Sequence, residues 1–128
     1  MLGFTSAFSS FSVDDLTKAK AFYQDLLGVQ TDESPAPMSM LTLNIPGGQK
    51  IIVYPKPNHE PATFTVLNFQ VDDVDKTVDN LIDKGITFEQ YTGDIQTDAK
   101  GIMRGNGPTI AWFKDPAGNI LSVIGPYV

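Results

Sequence analysis

The chain repeats one pattern twice, and this repeat constrains its fold more than any other feature. The segment FSVDDLTKAKAFY, which starts at Phe11, matches FQVDDVDKTVDNL, which starts at Phe69, at an offset of 58 residues. A second pair of segments, IPGGQKIIVYP from Ile45 and DPAGNILSVIG from Asp115, matches at an offset of 70. Because two separate segments match in the same order, we interpret the chain as two copies of one structural module.

Each copy begins with a segment in which apolar and polar residues alternate, Ala7–Val13 in the first copy and Thr65–Val71 in the second. Alternation with a period of two predicts a half-buried β-strand. A pair of adjacent aspartates follows and ends at Asp15 or Asp73. One carboxylate of each pair can accept hydrogen bonds from the free amides of a first helical turn. The carboxylates could instead form a catalytic pair, but their place before a helix in both copies favours the cap.

An amphipathic helix follows each aspartate pair. Apolar residues recur at spacings of three and four over 16–27 in the first copy and over 74–82 in the second. Gly28 and Gly85 follow these segments directly or closely, as glycines that end helices do.

Three short strands are predicted after each helix, so that each copy has the order β-α-β-β-β. They are Val29–Asp32, Met38–Ile45 and Gln49–Tyr54 in the first copy, and Ile86–Tyr91, Thr109–Lys114 and Asn119–Ile124 in the second. PGG and DPAGN are tight turns that join the last two strands of each copy. The difference between the two offsets predicts a 12-residue insertion in the second copy, between residues 87 and 110, as a long loop.

These segments predict one domain over residues 1–128. Module one covers about residues 6–55, a proline-rich linker covers 55–63, and module two covers about 64–125. A content of 41% hydrophobic residues is enough for a buried core, which argues against disorder.

The charge and the residue content exclude several functional classes. The net charge is −6 and no basic stripe occurs, which argues against binding to nucleic acid or to anionic lipid. The absence of cysteine excludes disulfides and thiolate chemistry. The N-terminal MLGFTSAFSS lacks the charged start of a signal peptide, and no apolar run approaches the roughly 20 residues of a membrane span. We therefore expect a soluble cytoplasmic protein without nucleic-acid or membrane partners.

The paired modules, the helix with Phe-Tyr and Leu-Gly, and the closing FKDPAGN hairpin resemble the vicinal oxygen chelate superfamily. Its members include glyoxalase I, extradiol dioxygenases, methylmalonyl-CoA epimerase, and the bleomycin and fosfomycin resistance proteins. The resemblance covers Ser6–Gly125. It implies an α+β fold in which two tandem βαβββ modules form a cup-shaped mixed β-sheet, with helices packed outside and the ligand inside. It also implies a homodimer.

In catalytic members of this superfamily, one divalent metal is bound at four places on the first and last strands of the two modules. By the resemblance, the corresponding places in this sequence hold Phe8, Ile52, Val66 and Ser122. Phenylalanine, isoleucine and valine cannot bind a metal, and a lone serine hydroxyl is a poor ligand for a divalent ion. The only histidine, His59, lies in the linker. We therefore predict that the usual metal ligands are absent and that no cofactor is bound.

Alternation along the strands extends these four places to a predicted ligand-facing surface. An apolar surface with a few uncharged hydrogen-bonding groups is typical of small-molecule pockets, although any half-solvated sheet face alternates in the same way. Trp112 and Met103 could add walls or belong to the core. Arg104 could close over the cup and pair with an anionic ligand, or lie in solvent. The predicted ligand-binding set is Phe8, Ser10, Ile52, Tyr54, Val66, Asn68, Met103, Arg104, Trp112 and Ser122.

Together these features predict a metal-independent protein that binds an apolar or aromatic small molecule in the cup. The alternative is an enzyme of the same superfamily, lyase or dioxygenase-like, that acts on an unknown small substrate. Its candidate acid–base groups would be Tyr54, His59, Glu89 and Lys50. None of these has the spacing of a dyad or triad, so no catalytic residue is assigned. A non-catalytic scaffold or regulatory dimer is a third possibility.

Overall fold

The computed structural model of the protein describes residues 1–105 and 107–126. They divide into two compact units, of which the first is Met1–Pro61 and the second starts at Ala62. In both units a strand, a helical segment and three further strands follow one another, so the predicted βαβββ order of an α+β fold is confirmed.

The first unit contains a four-stranded mixed sheet. Its elements are β1 (Ser9–Val13), α1 (Leu16–Lys20), β2 (Gln30–Glu33), β3 (Leu41–Asn44) and β4 (Lys50–Pro55). The strand order is β1-β4-β3-β2, in which β1 is parallel to β4 and the other pairs are antiparallel. Parallel pairing of β1 and β4 is possible because α1 and two further strands lie between them in the chain.

The helix of the first unit begins and ends as predicted. Asp15 is its N-cap, with Oδ1 accepting the backbone N–H of Lys18 at 3.1 Å. After α1 the backbone continues as a π-helical segment, Ala21–Leu26, and Gly28 follows with a positive φ of 74°. A left-handed residue at this position lets the chain leave the helix without strain, which explains the glycine.

The core of the first unit follows the two periodicities read from the sequence. The fully buried Tyr23 of the helix packs edge to face against Phe22, with 5.2 Å between ring centroids, and at a tilt against Phe11, with 6.0 Å between centroids. The buried strand residues alternate with more exposed ones, and they are Val13, Leu41, Leu43, Ile51 and Val53. The sheet therefore has one buried face and one more open face.

The second unit repeats this plan. Its elements are β5 (Thr65–Gln70), α2 (Val74–Asp83), β6 (Ile102–Met103), β7 (Ile110–Lys114) and β8 (Ile120–Ile124). The strand order is β5-β8-β7-β6, with β5 parallel to β8 and the other pairs antiparallel. Asp73 caps α2 by accepting the Lys76 N–H at 3.0 Å, and Gly85 ends it with a φ of 95°. The predicted caps are therefore confirmed in both units.

The predicted strand Ile86–Tyr91 is wrong. Within this segment only Phe88 bridges to β7, through Phe113, and the Glu89 N–H donates to the Trp112 carbonyl at 2.8 Å. The outer strand of the sheet is instead β6, which lies inside the segment predicted as a loop. The inserted segment thus forms part of the sheet.

Among the other strands, β1 and β3 differ most from the prediction. β1 begins at Ser9 instead of Ala7, which leaves Phe8 outside the sheet, and β3 is limited to Leu41–Asn44. In the described part of the chain, no helix has the length and apolar character needed to cross a membrane.

Candidate functional site

A row of three side chains crosses the more open face of the second sheet. Asn68 on β5 lies opposite Ser122 on β8, and Ser122 lies opposite Trp112 on β7. Neighbouring strands are about 4.8 Å apart, so residues in register present adjacent side chains. All three residues belong to the predicted ligand-binding set, and the structure brings them together.

Two further rows flank this one on the same face. One row consists of Thr65, Ile120 and Lys114, and the other consists of Gln70, Ile124, Ile110 and Met103. We call the surface formed by these three rows the Trp112 face. The opposite face carries Leu121, Val123 and Phe113, which are buried in the core of the unit.

The polar pair at the centre of the Trp112 face is joined by a short hydrogen bond. The Ser122 hydroxyl donates to Oδ1 of Asn68 at 2.5 Å. Ser122 is completely buried, whereas Asn68 is exposed. A buried hydroxyl needs a hydrogen-bond partner, and Asn68 supplies one from the open side of the sheet.

Trp112 is held by two neighbours. Its indole Nε1–H donates to Oγ1 of Thr65 at 3.1 Å, and the ring of Tyr91 packs against it edge to face, with 5.5 Å between centroids. Burial, followed by the negative charge of Glu89, raises the pKa of the Tyr91 hydroxyl. The Tyr91 hydroxyl is therefore a neutral group at physiological pH.

A β-bulge in β5 puts Thr65, instead of the predicted Val66, in register with Ile120. Thr65 lies opposite Ile120 and Leu67 lies opposite Leu121, so Val66 is the extra residue between them. Strict alternation had assigned Val66 to the ligand-facing surface, but the register assigns that row to Thr65. Sequence reasoning missed Thr65 because a bulge has no reliable signature in a run such as TFTVLNF.

Met103 and Arg104 follow one another but lie in different surroundings. Met103 is opposite Ile110 on β7 and therefore belongs to the Trp112 face. The guanidinium of Arg104 instead binds Asp75 in the first turn of α2, and Nη2 lies 3.5 Å from Asp98. The predicted pairing of Arg104 with a ligand stays a prediction.

Four residues of the predicted ligand-binding set belong to the first unit, and their strand neighbours lie in the same unit. Ser10 lies opposite Ile52, which lies opposite Thr42, in the row that corresponds to Asn68, Ser122 and Trp112 in the repeat. Tyr54 lies next along β4, opposite Ser12. Phe8 precedes β1 and is 68% exposed.

His59 of the linker contacts β1. The Ser12 hydroxyl and His59 Nδ1 are 2.6 Å apart. This contact holds the linker against β1, near Tyr54.

The described part of the chain contains no group of three or more His, Asp and Glu side chains that could hold a metal ion.

Comparison with known proteins identifies the family of the chain. Residues 7–123 match the model of the Glyoxalase/Bleomycin resistance protein/Dioxygenase superfamily. A search of curated protein sequences found no match.

Solved structures show the same fold. TnmS3, an antibiotic binding protein from a Streptomyces species, is 23% identical with a TM-score of 0.70, over 95% of this chain and 97% of that one. The fosfomycin resistance protein FosX from Listeria monocytogenes is 17% identical with a TM-score of 0.68, over 96% and 93% of the two chains. A superfamily member from Sphaerobacter thermophilus is 22% identical with a TM-score of 0.68, over 95% and 98%.

At these identities the solved structures establish the fold alone, whereas the family model covers both βαβββ units. The chain belongs to the Glyoxalase/Bleomycin resistance protein/Dioxygenase superfamily.

Proposed function

We propose that the protein is a metal-independent binding protein for an apolar or aromatic small molecule, which it binds on the Trp112 face. The observation that carries this proposal is the row of Asn68, Ser122 and Trp112, in which a fixed polar pair lies beside an aromatic ring. Small-molecule sites combine such apolar surface with a few placed hydrogen-bonding groups.

The fixed ring of Trp112 favours a planar ligand. Because the N–H of Trp112 is bonded to Thr65 and its ring is packed by Tyr91, the indole is held in one orientation. A fixed ring loses little conformational entropy when a ligand packs on it, which favours affinity. Antibiotic binding by the similar protein TnmS3 is compatible with this role.

Metal independence rests on the side chains at the four places where catalytic relatives are expected to bind a metal. Phe8 and Ile52 have no donor atom, and the bulge makes Val66 or Thr65 the third candidate. The fourth, Ser122, already donates its hydroxyl proton to Asn68. A set of hydrocarbon groups and hydroxyls does not match the nitrogen and carboxylate ligands of divalent metals in proteins.

Trp112 makes the proposal directly testable because it is the only tryptophan of the chain. The protein, dialysed against a chelator, is titrated with neutral phenylnaphthylamine, and energy transfer from the indole to the probe is recorded. We expect saturable binding that does not need added metal.

A pair of variants then locates the probe, with binding measured by equilibrium dialysis. Trp112→Ala should weaken probe binding by about tenfold, which corresponds to about 1.4 kcal/mol. Ile82→Ala, at an exposed apolar position of α2, is the matched control and should bind as the wild type does. One zinc, nickel, iron or manganese ion per chain by elemental analysis, or probe binding that Trp112→Ala leaves unchanged, would overturn the proposal.

We also propose that the protein is a homodimer in the cytoplasm. Several large apolar side chains of a single chain are exposed, and burial between two copies would remove them from water. They are Leu2, Phe4, Phe8 and Phe64. Light scattering should give twice the chain mass of 13.9 kDa, and a monomeric mass at all concentrations would contradict the dimer.

A further inference from the structure

The hydrogen bond between Ser122 and Asn68 fixes the orientation of the Asn68 carboxamide. A separation of 2.5 Å lies in the range of O–H···O bonds and below that of N–H···O bonds. The Asn68 atom that faces Ser122 is therefore its oxygen, and the amino group points to the other side. Ser122 is completely buried and Asn68 is exposed, so the amino group lies on the accessible side of the pair.

The Asn68 amino group is the fixed hydrogen-bond donor at the centre of the Trp112 face. A carboxamide nitrogen carries two N–H groups and accepts nothing. Neither N–H has a hydrogen-bond partner among residues 1–105 and 107–126, where the one bond of this side chain is that to Ser122. The neighbouring indole N–H offers no second donor because Thr65 accepts it.

The surroundings of this donor are neutral. Ile120 and Ile124 flank Ser122 along β8 and are apolar. The charged residue of the face, Lys114, forms an ion pair with Glu89 at 3.1 Å, so its charge is balanced locally. An ionic ligand would lose its hydration at this site without gaining an ion pair in return. The site therefore favours a ligand with a neutral acceptor.

We propose that the ligand of the Trp112 face is a neutral, planar aromatic molecule with a carbonyl group, a ketone, ester or amide, whose oxygen accepts from the Asn68 amino group while its ring packs on Trp112. This inference rests on the proposed binding function and adds the polarity of the ligand to it.

A matched pair of ligands tests the polarity. Methyl naphthyl ketone and ethylnaphthalene have nearly the same shape and differ in the carbonyl oxygen. In equilibrium dialysis against the full chain, we expect the ketone to bind about tenfold more tightly than the hydrocarbon, as one desolvated hydrogen bond allows.

A matched pair of variants tests the residue. Asn68→Asp keeps the acceptor of the Ser122 hydroxyl and the size of the side chain but replaces the amino donor with an oxygen. It should remove the preference for the ketone and leave hydrocarbon binding within about twofold. Asn80→Asp makes the same substitution at an exposed position of α2, outside the Trp112 face, and should keep the preference.

Two outcomes separate this inference from the function on which it rests. If both compounds bind equally well, or if Asn68→Asp keeps the preference for the ketone, the polarity is wrong and the binding function stands. If neither compound nor phenylnaphthylamine binds, the binding function itself is wrong.

Discussion

Arg104, which follows β6, binds the carboxylate of Asp75 in α2 through two guanidinium nitrogens. Nη1 lies 2.9 Å from Oδ2 of Asp75, and Nη2 contacts Oδ1. A two-point contact of this kind fixes orientation as well as distance. It attaches the inserted segment to the helix of its own unit.

A second ion pair runs beside the first. Lys100 Nζ lies 2.8 Å from Oδ1 of Asp79. Asp75 and Asp79 are four residues apart and therefore lie on one face of α2, one turn from each other. Lys100 and Arg104 are also four residues apart in the sequence. The inserted segment thus forms two ion pairs with α2.

The ion pair with Arg104 makes stability depend on pH in acid. The hydrogen bond from Arg104 is the largest influence on Asp75 and holds the pKa of this carboxyl below its ordinary value. A carboxylate with a lowered folded-state pKa contributes stability above its unfolded pKa of about 3.9 and loses it as the pH falls through the lower folded value. Arg104→Gln should therefore reduce the stability at neutral pH and flatten its decline below about pH 4.

Urea unfolding at neutral pH and at about pH 3 measures this effect. Lys20→Met, which removes the exposed ion pair with Glu33 in the first unit, is the control and should keep the wild-type pH dependence. High salt should also reduce the difference between wild type and Arg104→Gln, because both charges are about half exposed. An unchanged pH profile in Arg104→Gln would show that the pair contributes nothing.

Gly101 lies close to Phe88 and Glu89. It has a φ of 86°, and a Cβ placed there would lie 2.8 Å from both the Glu89 carbonyl oxygen and the Phe88 Cβ. Gly101→Ala should therefore cost about 3 kcal/mol, since backbone strain and a clash act together. The measurement is the free energy of unfolding in urea.

Gly93 separates these two causes. It has a φ of 95°, but no atom lies within 4 Å of the corresponding Cβ. Gly93→Ala should cost only about 1 kcal/mol, the strain of a left-handed alanine. Equal costs for the two substitutions would mean that the close approach at Gly101 has no energetic consequence.

The parts of the fold that local sequence controls were predictable. Asp15 and Asp73 cap helices through amides three residues away, and Gly28 and Gly85 end them, so each signal lies within one turn of its effect. The outer strand β6 was not predictable. Its formation depends on Asp98, whose Oδ1 accepts the N–H groups of Lys100 and Ile102, and on pairing with β7.

The candidate site divides in the same way. Alternation with a period of two was enough to place Asn68 and Ser122 on one face, because regular pairing preserves parity. For Trp112 it left the pocket wall and the core as alternatives, and pairing with Ser122 decides between them. It failed at Val66, where the bulge shifts parity by one residue. Arg104 could not be placed, since its partner Asp75 is 29 residues away and belongs to another element.

The closing hairpin of the second unit depends on Asp115 of the DPAGN turn. Oδ1 accepts the backbone N–H groups of Ala117 at 3.0 Å and Asn119 at 2.8 Å, and Oδ2 accepts the Asn119 side-chain amide at 3.0 Å. Both Asp115 and Asn119 are almost completely buried. The turn that precedes β8, and with it the position of Ser122, is therefore held by one buried carboxylate.

Asp115→Ala should destabilise the protein by about 2–4 kcal/mol, because it removes the acceptor of three hydrogen bonds inside the fold. Asp115→Asn keeps the shape and one acceptor oxygen, so we expect a smaller loss of about 1–2 kcal/mol. Asp94→Ala, at an exposed position of the inserted segment, should stay within about 0.5 kcal/mol of the wild type. Urea unfolding gives all three values, and an Asp115→Ala protein as stable as Asp94→Ala would show that the turn forms without its carboxylate.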